Sequence, residues 1–151
     1  MKLEIEIPEV SDMEALGARL APGIAKVQLI YLNGELGTGK TTLVRGLLRA
    51  LGHVGVVKSP TFTLVEPYSV AGQNTYHFDL YRLKDPNELE FVGFRDYVRD
   101  RNVCLVEWAE RAAAVLPTPD IDVVIHKADH KRIVHLMSRT DRGADLLTDL
   151  S

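Results

Sequence analysis

Gly34-x-x-x-x-Gly39-Lys40-Thr41 is the stretch of this 151-residue chain whose residue types and spacing specify a chemistry most directly. In such a loop, successive backbone N–H groups wrap the oxygens of a polyphosphate and the lysine reaches the outer phosphates. The expected nucleotide contacts are Glu35, Leu36, Gly37, Thr38, Gly39, Lys40, Thr41 and Thr42. Lys40 neutralises the β- and γ-phosphates, the Thr41 hydroxyl serves Mg²⁺, Thr42 lies near the α-phosphate, and the N–H groups of Gly37 to Thr42 face the anion from a helix N-terminus. By composition alone the pattern arises in roughly half a percent of chains this long.

A Mg²⁺–nucleotide site also needs carboxylates, because the hard cation prefers oxygen ligands. Two stand at strand ends. Glu107 closes the apolar run "VCLVE" and is the candidate to act with Lys40 in catalysis as well as at the metal. Asp79 lies in "YHFDLYRL", where His77 and Asp79 share one strand face and Phe78 and Leu80 the other. Ser59 and Thr61, either side of Pro60, are placed for a switch segment near the phosphates. Trp108, the only tryptophan, directly follows Glu107 and is expected beside the nucleotide or at the partner-facing edge of its pocket.

The elements that must position these residues are legible in the hydrophobic pattern. Leu3–Ile7 alternates like a half-buried edge strand, and Ser11-Asp-Met-Glu14 has the form of a capping box opening a helix to about Leu20. Val27–Leu32 is apolar on both faces apart from Gln28, as in a central strand covered by helices on both sides. It feeds the glycine loop. From Thr41, Leu43, Val44, Leu47, Leu48 and Leu51 form one helical stripe closed by Gly52. Thr61–Val65 and Thr75–Leu80 predict a hairpin turning near Gly72. Asp85-Pro86-Asn87-Glu88 starts another helix, with a further helical piece over Phe94–Arg101. Val103–Val106 is a short buried strand, "WAERAAAVLP" a helix ending at Pro117, and Ile121–Ile125 with Arg132–Met137 a closing hairpin. The order predicts a single-domain α/β fold over residues 1–151, with a mixed central sheet flanked by helices and residues 140–151 as a loose tail.

Several function classes are disfavoured. The net charge is −3 with acids and bases mixed along the chain, so no basic stripe suits independent nucleic-acid binding. Cys104 is the only cysteine, which excludes an intrachain disulfide and fits a reducing cytosol; in its apolar run it reads as a buried side chain. No stretch is long enough to span a bilayer and the N-terminus lacks a signal-peptide core, so a cytoplasmic location is expected. "HKAD", His126 to Asp129, approaches the asparagine-lysine-x-aspartate signature for guanine, but histidine replaces the asparagine and the segment reads equally as a hairpin turn. His126 and His130 straddle that turn, which disfavours zinc.

Taken together, "GELGTGKTTLVRGLLRALG", "SPTFTLVEPY", "YHFDLYRL", "ELEFVGFRDY" and "VCLVEWAER", in that order, resemble the TsaE family (formerly YjeE) over most of the chain. These are small P-loop ATPases of bacterial tRNA threonylcarbamoyladenosine synthesis. The resemblance implies an ATP-binding loop, Mg²⁺ served by Thr41 and Asp79, and hydrolysis supported by Glu107. It implies the TsaD and TsaB proteins as partners, which transfer the threonylcarbamoyl group to adenosine 37 of tRNAs reading codons that begin with A, while this chain supplies ATP hydrolysis that resets them. Thr38, where alanine is usual, and Ala109, where proline commonly follows the tryptophan, depart from the pattern without touching these ligands. A small-molecule kinase and a nucleotide-dependent binding switch are the competing readings of the same loop.

Overall fold

The apolar run ahead of the glycine loop becomes a middle strand of a seven-stranded sheet in the computed structural model, which describes residues Met1–Ser151. In chain order the strands are β1 (Lys2–Ile7), β2 (Leu29–Asn33), β3 (Val65–Val70), β4 (Gln73–Asp79), β5 (Asn102–Glu107), β6 (Ile121–Ala128) and β7 (Lys131–Ser138). The helices are α1 (Val10–Leu20), α2 (Lys40–Leu51), α3 (Glu88–Phe91), α4 (Phe94–Tyr97) and α5 (Asp141–Leu150). The spatial order is β1-β7-β6-β2-β5-β4-β3. β4, β5, β2 and β6 run parallel, whereas β3 and β7 are antiparallel to their neighbours, so the sheet is mixed as expected.

Alternation along the parallel strands divides the interior in two. Ile30, Leu32, Val103 and Leu105 face a large cluster built with α1, α2 and α5. Leu29, Phe78, Cys104 and Val106 face a smaller one under α3 and α4. A strand buried on both faces shows no polar alternation, which is why the β2 and β5 segments read as continuous apolar runs.

Four expectations about elements are corrected. β3 starts at Val65 rather than Thr61, because Leu64 takes φ 71° and breaks the extended run before it. The helix expected over "WAERAAAVLP" shrinks to a 3₁₀ turn at Ala109–Ala112, since Trp108 at φ 60° redirects the chain. The piece expected over Phe94–Arg101 ends at Tyr97. Residues 140–151, expected as a loose tail, form α5 instead. Its N-cap Thr140 accepts from Gly143 N–H through the side-chain oxygen, and Leu146, Leu147 and Leu150 are buried.

α5 is held by a residue that the sequence did not single out. Asp120 is 2% exposed; its Oδ2 accepts from the backbone N–H groups of Gln28 (2.7 Å) and Leu29 (3.1 Å), and its Oδ1 from the Thr140 hydroxyl (2.6 Å). One carboxylate thus ties the start of β2, the start of β6 and the cap of α5. Asp120→Ala strands one buried and one half-buried backbone donor and is expected to cost about 3 kcal/mol in urea denaturation at unchanged m. A loss below about 1 kcal/mol would mean that water replaces these bonds.

Candidate nucleotide site

The site is assembled where parallel strands end. β2 stops at Asn33, the chain turns through the glycine loop, and α2 begins at Lys40 with Gly39 as its N-cap. Gly39 has φ 112°, a conformation that side chains rarely adopt, and a Cβ there would lie 3.1 Å from Met13 Cε. Thr38, the departure from the family pattern, is 3% exposed and donates its hydroxyl to Glu35 O at 2.9 Å, so it braces the loop internally.

Asp79 and Glu107 are register partners at the ends of adjacent parallel strands and are each 3% exposed. Asp79 Oδ2 accepts from Ser59 Oγ at 2.6 Å and Thr61 Oγ1 at 3.1 Å, and Asp79 Oδ1 accepts from Tyr81 N–H at 2.9 Å. Glu107 Oε2 accepts from Thr41 Oγ1 at 3.1 Å and meets His77 Nε2 at 2.5 Å. Lys40 Nζ donates to the carbonyls of Gly34 and Glu35 and lies 4.2 Å from the centre of the Trp108 ring. Burial lowers the Lys40 pKa, opposed by the charges of Glu107, Asp79 and Glu110.

These groups share a cleft of 610 Å³, lined by Leu36 to Thr42, Ser59, Thr61, Asp79, Tyr81, Glu107 and Trp108. Of the expected contacts, Glu35 alone stands outside the lining. Its carbonyl is taken up by the loop's own donors. The opposite wall is one that sequence reasoning missed: Ile7 to Val10 and Met13 from the β1–α1 junction, and His130, Lys131 and Arg132 from the β6–β7 turn. Arg132 Nη2 reaches Gly37 O at 3.4 Å. No sequence signal marks it: only the parallel pairing of β6 with β2, which ends both strands at the same sheet edge, brings this wall to the loop. The guanine signature does not form a separate loop, because His126 to Ala128 continue β6. Cys104 is fully buried, and burial pushes its thiol up to about 12, as suits an inert packing residue.

The donor chemistry fits Mg²⁺. Thr41, Ser59 and Thr61 offer hydroxyls, Asp79 and Glu107 offer carboxylates, and Glu107 Oε1 has no protein hydrogen bond. There is no cluster of three or more His, Cys, Asp or Glu side chains able to hold a metal unaided. That suits a cation that takes phosphate and water oxygens for most of its shell.

A strand, a glycine loop capping a helix, and carboxylates at the ends of neighbouring parallel strands define the fold class of P-loop nucleotide-binding proteins. Within that class, the chain belongs to the TsaE family: the family model described as "Threonylcarbamoyl adenosine biosynthesis protein TsaE" matches residues 7–134. The chain is 47% identical over 150 residues to the tRNA threonylcarbamoyladenosine biosynthesis protein TsaE of Haemophilus influenzae, across 96% of this chain and 95% of that protein. It is 37% identical over 136 residues to the Bacillus subtilis protein of the same name, across 89% and 85%. The crystal structure of Bacillus subtilis YdiB superposes with a TM-score of 0.82 at 29% identity, covering 99% of this chain and 94% of that one. No helix is long and apolar enough to cross a membrane.

Proposed function

We propose that this chain binds ATP with Mg²⁺ and hydrolyses it in the cytoplasm as an accessory protein of tRNA threonylcarbamoyladenosine formation at adenosine 37. It works with the TsaD and TsaB proteins and does not perform the transfer itself. The observation that carries the reading is the Thr41–Glu107 contact of 3.1 Å at the N-terminus of the glycine-capped helix, in a chain of the TsaE family. Mg²⁺, when bound, supplies positive charge against the phosphates. The chain's own residues bind and orient: the N–H groups of the loop hold phosphate oxygens, Lys40 adds a positive charge, and Glu107 presents a carboxylate to orient water or metal. Trp108 and Tyr81 pack at a tilt, with ring centres 4.9 Å apart, and Trp108 lies beside Lys40. The cleft of 430 Å³ between α3–α4 and residues 114–117 shares no lining residue with the nucleotide cleft, so it offers no acceptor pocket beside the phosphates. Phosphoryl transfer to water is favoured over a kinase on that ground.

Phosphate release measured with ATP alone, with candidate acceptors, and with TsaD and TsaB separates hydrolase, kinase and switch. Turnover is expected to be slow alone and to rise with both partners; full speed alone would remove the accessory role. Lys40→Ala is expected to weaken nucleotide binding about 30-fold by calorimetry, the worth of one charge-assisted contact, with the fold intact. Because burial lowers its pKa, Lys40 is protonated over a narrower alkaline range than a free lysine. Nucleotide affinity should therefore fall as pH rises, starting below the usual lysine range, and this fall should vanish in Lys40→Ala. A pH slope that survives in the variant belongs to another group.

A further inference from the structure

Of the five histidines, His77 alone is buried, with no exposed surface, and no binding role described so far uses it. It sits on β4 between Thr75 and Asp79, in register with Leu105, on the sheet face that carries the larger core cluster. A buried imidazole is expected to pair both ring nitrogens. Here Nδ1 has no partner, and neither does Thr75 Oγ1 two residues away. An aliphatic side chain of similar size would fill this place without leaving those polar atoms stranded. What the imidazole adds is its one polar contact, Nε2 to Glu107 Oε2 at 2.5 Å.

A carboxylate only accepts, so this bond places a proton on His77 Nε2. The same Oε2 also accepts from Thr41 Oγ1, and two donors on one oxygen leave Oε1 without a protein hydrogen bond. Glu107 ends β5, and Trp108 after it turns the chain through a left-handed backbone into a 3₁₀ turn. Its rotamer is restricted by the bonds from Thr41 and, from the strand face below, His77. Partners of this kind, which orient a liganding or catalytic carboxylate from behind, typically account for 10- to 100-fold in activity.

The geometry points to His77 as a positioning residue, which donates from Nε2 to Glu107 Oε2 and thereby keeps Oε1 turned into the cleft. The kinetic consequence rests on the hydrolytic reading above; the bond itself does not. Nitrogen-15 NMR of the imidazole in nucleotide-free protein is expected to show a proton on Nε2. In phosphate-release assays, His77→Leu is expected to lower turnover by about 10- to 100-fold while ADP affinity stays within about threefold. His77→Gln, whose amide nitrogen reaches the place of Nε2, should recover most of the rate. His77→Asn, whose amide stops near the place of Nδ1, should not. The role is overturned by a proton on Nδ1 with Nε2 bare, by equal turnover in all three variants, or by rate, ADP affinity and Tm falling together. Should His77→Leu fail to fold, the contrast between Gln and Asn decides. Should the wild-type chain release no phosphate, hydrolysis is refuted while the tautomer still tests the bond.

Discussion

Glu107→Gln will bind ADP and ATP with nearly unchanged affinity and release phosphate at least about 100-fold more slowly than the wild-type chain. The amide keeps the volume of the acid, and its carbonyl oxygen can still accept from His77 and Thr41, so the local packing of a residue only 3% exposed survives. What disappears is the charge shared with the second oxygen, which carries no protein hydrogen bond, on a residue that lines the cleft. A donor there cannot take a proton from water or a place on a hard cation. On the proposed function, the binding energy comes mostly from the loop N–H groups and Lys40, which the substitution leaves alone. Calorimetry with ADP, phosphate release from ATP and a thermal melt run on one preparation test the expectation. Retained hydrolysis would take Glu107 out of the mechanism. Affinity lost together with Tm would make it a structural residue.

The loop and its two carboxylates were legible in the sequence because each is forced by local chemistry. Glycine is needed where the backbone turns left-handed, as at Gly39, and an acid at the end of a doubly buried strand stands out against apolar neighbours. Register then brings Asp79 and Glu107 side by side, a consequence of strand order that sequence periodicity does not contain. The opposite wall was not legible for the same reason. "HKADHK" reads as a turn, and only the parallel pairing of β6 with β2 carries that turn over the loop.

Two other misses have local causes. Trp108 and Leu64 adopt positive φ although neither is a residue type that signals it, so a helix was expected to start at the first and a strand to continue through the second. The segment "DRGADLLTDL" is short and polar, and its Leu146, Leu147 and Leu150 stripe looked too weak for a helix in isolation. Tertiary contact decides it: the stripe packs into the main core, and Asp120 anchors the Thr140 cap. No property of the ten residues themselves reveals Asp120.

Gly46→Ala will destabilise the protein by about 3 kcal/mol or more, although glycine-to-alanine in a helix ordinarily stabilises by about 1 kcal/mol. Helix propensity and packing therefore predict opposite signs for one methyl group. Gly46 faces α1, and a Cβ there would lie 2.1 Å from Glu14 O and 2.6 Å from Glu14 Cα. The contact is reciprocal, because a Cβ on Gly17 of α1 would lie 2.2 Å from Leu43 O on α2. Both obstacles are backbone, so no rotamer change relieves them and the helices must separate. Separation loosens Met13, Leu16, Leu43 and Leu47, which pack in the main core along this crossing. Separation also shifts the first turn of α2, where Lys40 and Thr41 sit, so nucleotide affinity should fall with stability although no ligand contact is altered. Ala50→Gly, on the exposed face of the same helix, is the control and should cost only about 1 kcal/mol. Urea denaturation of the two variants, with ADP titrations on each, gives the comparison. A Gly46→Ala chain as stable as wild type would show that α1 and α2 can part without cost. A large stability loss with unchanged ADP affinity would uncouple the helix crossing from the glycine loop.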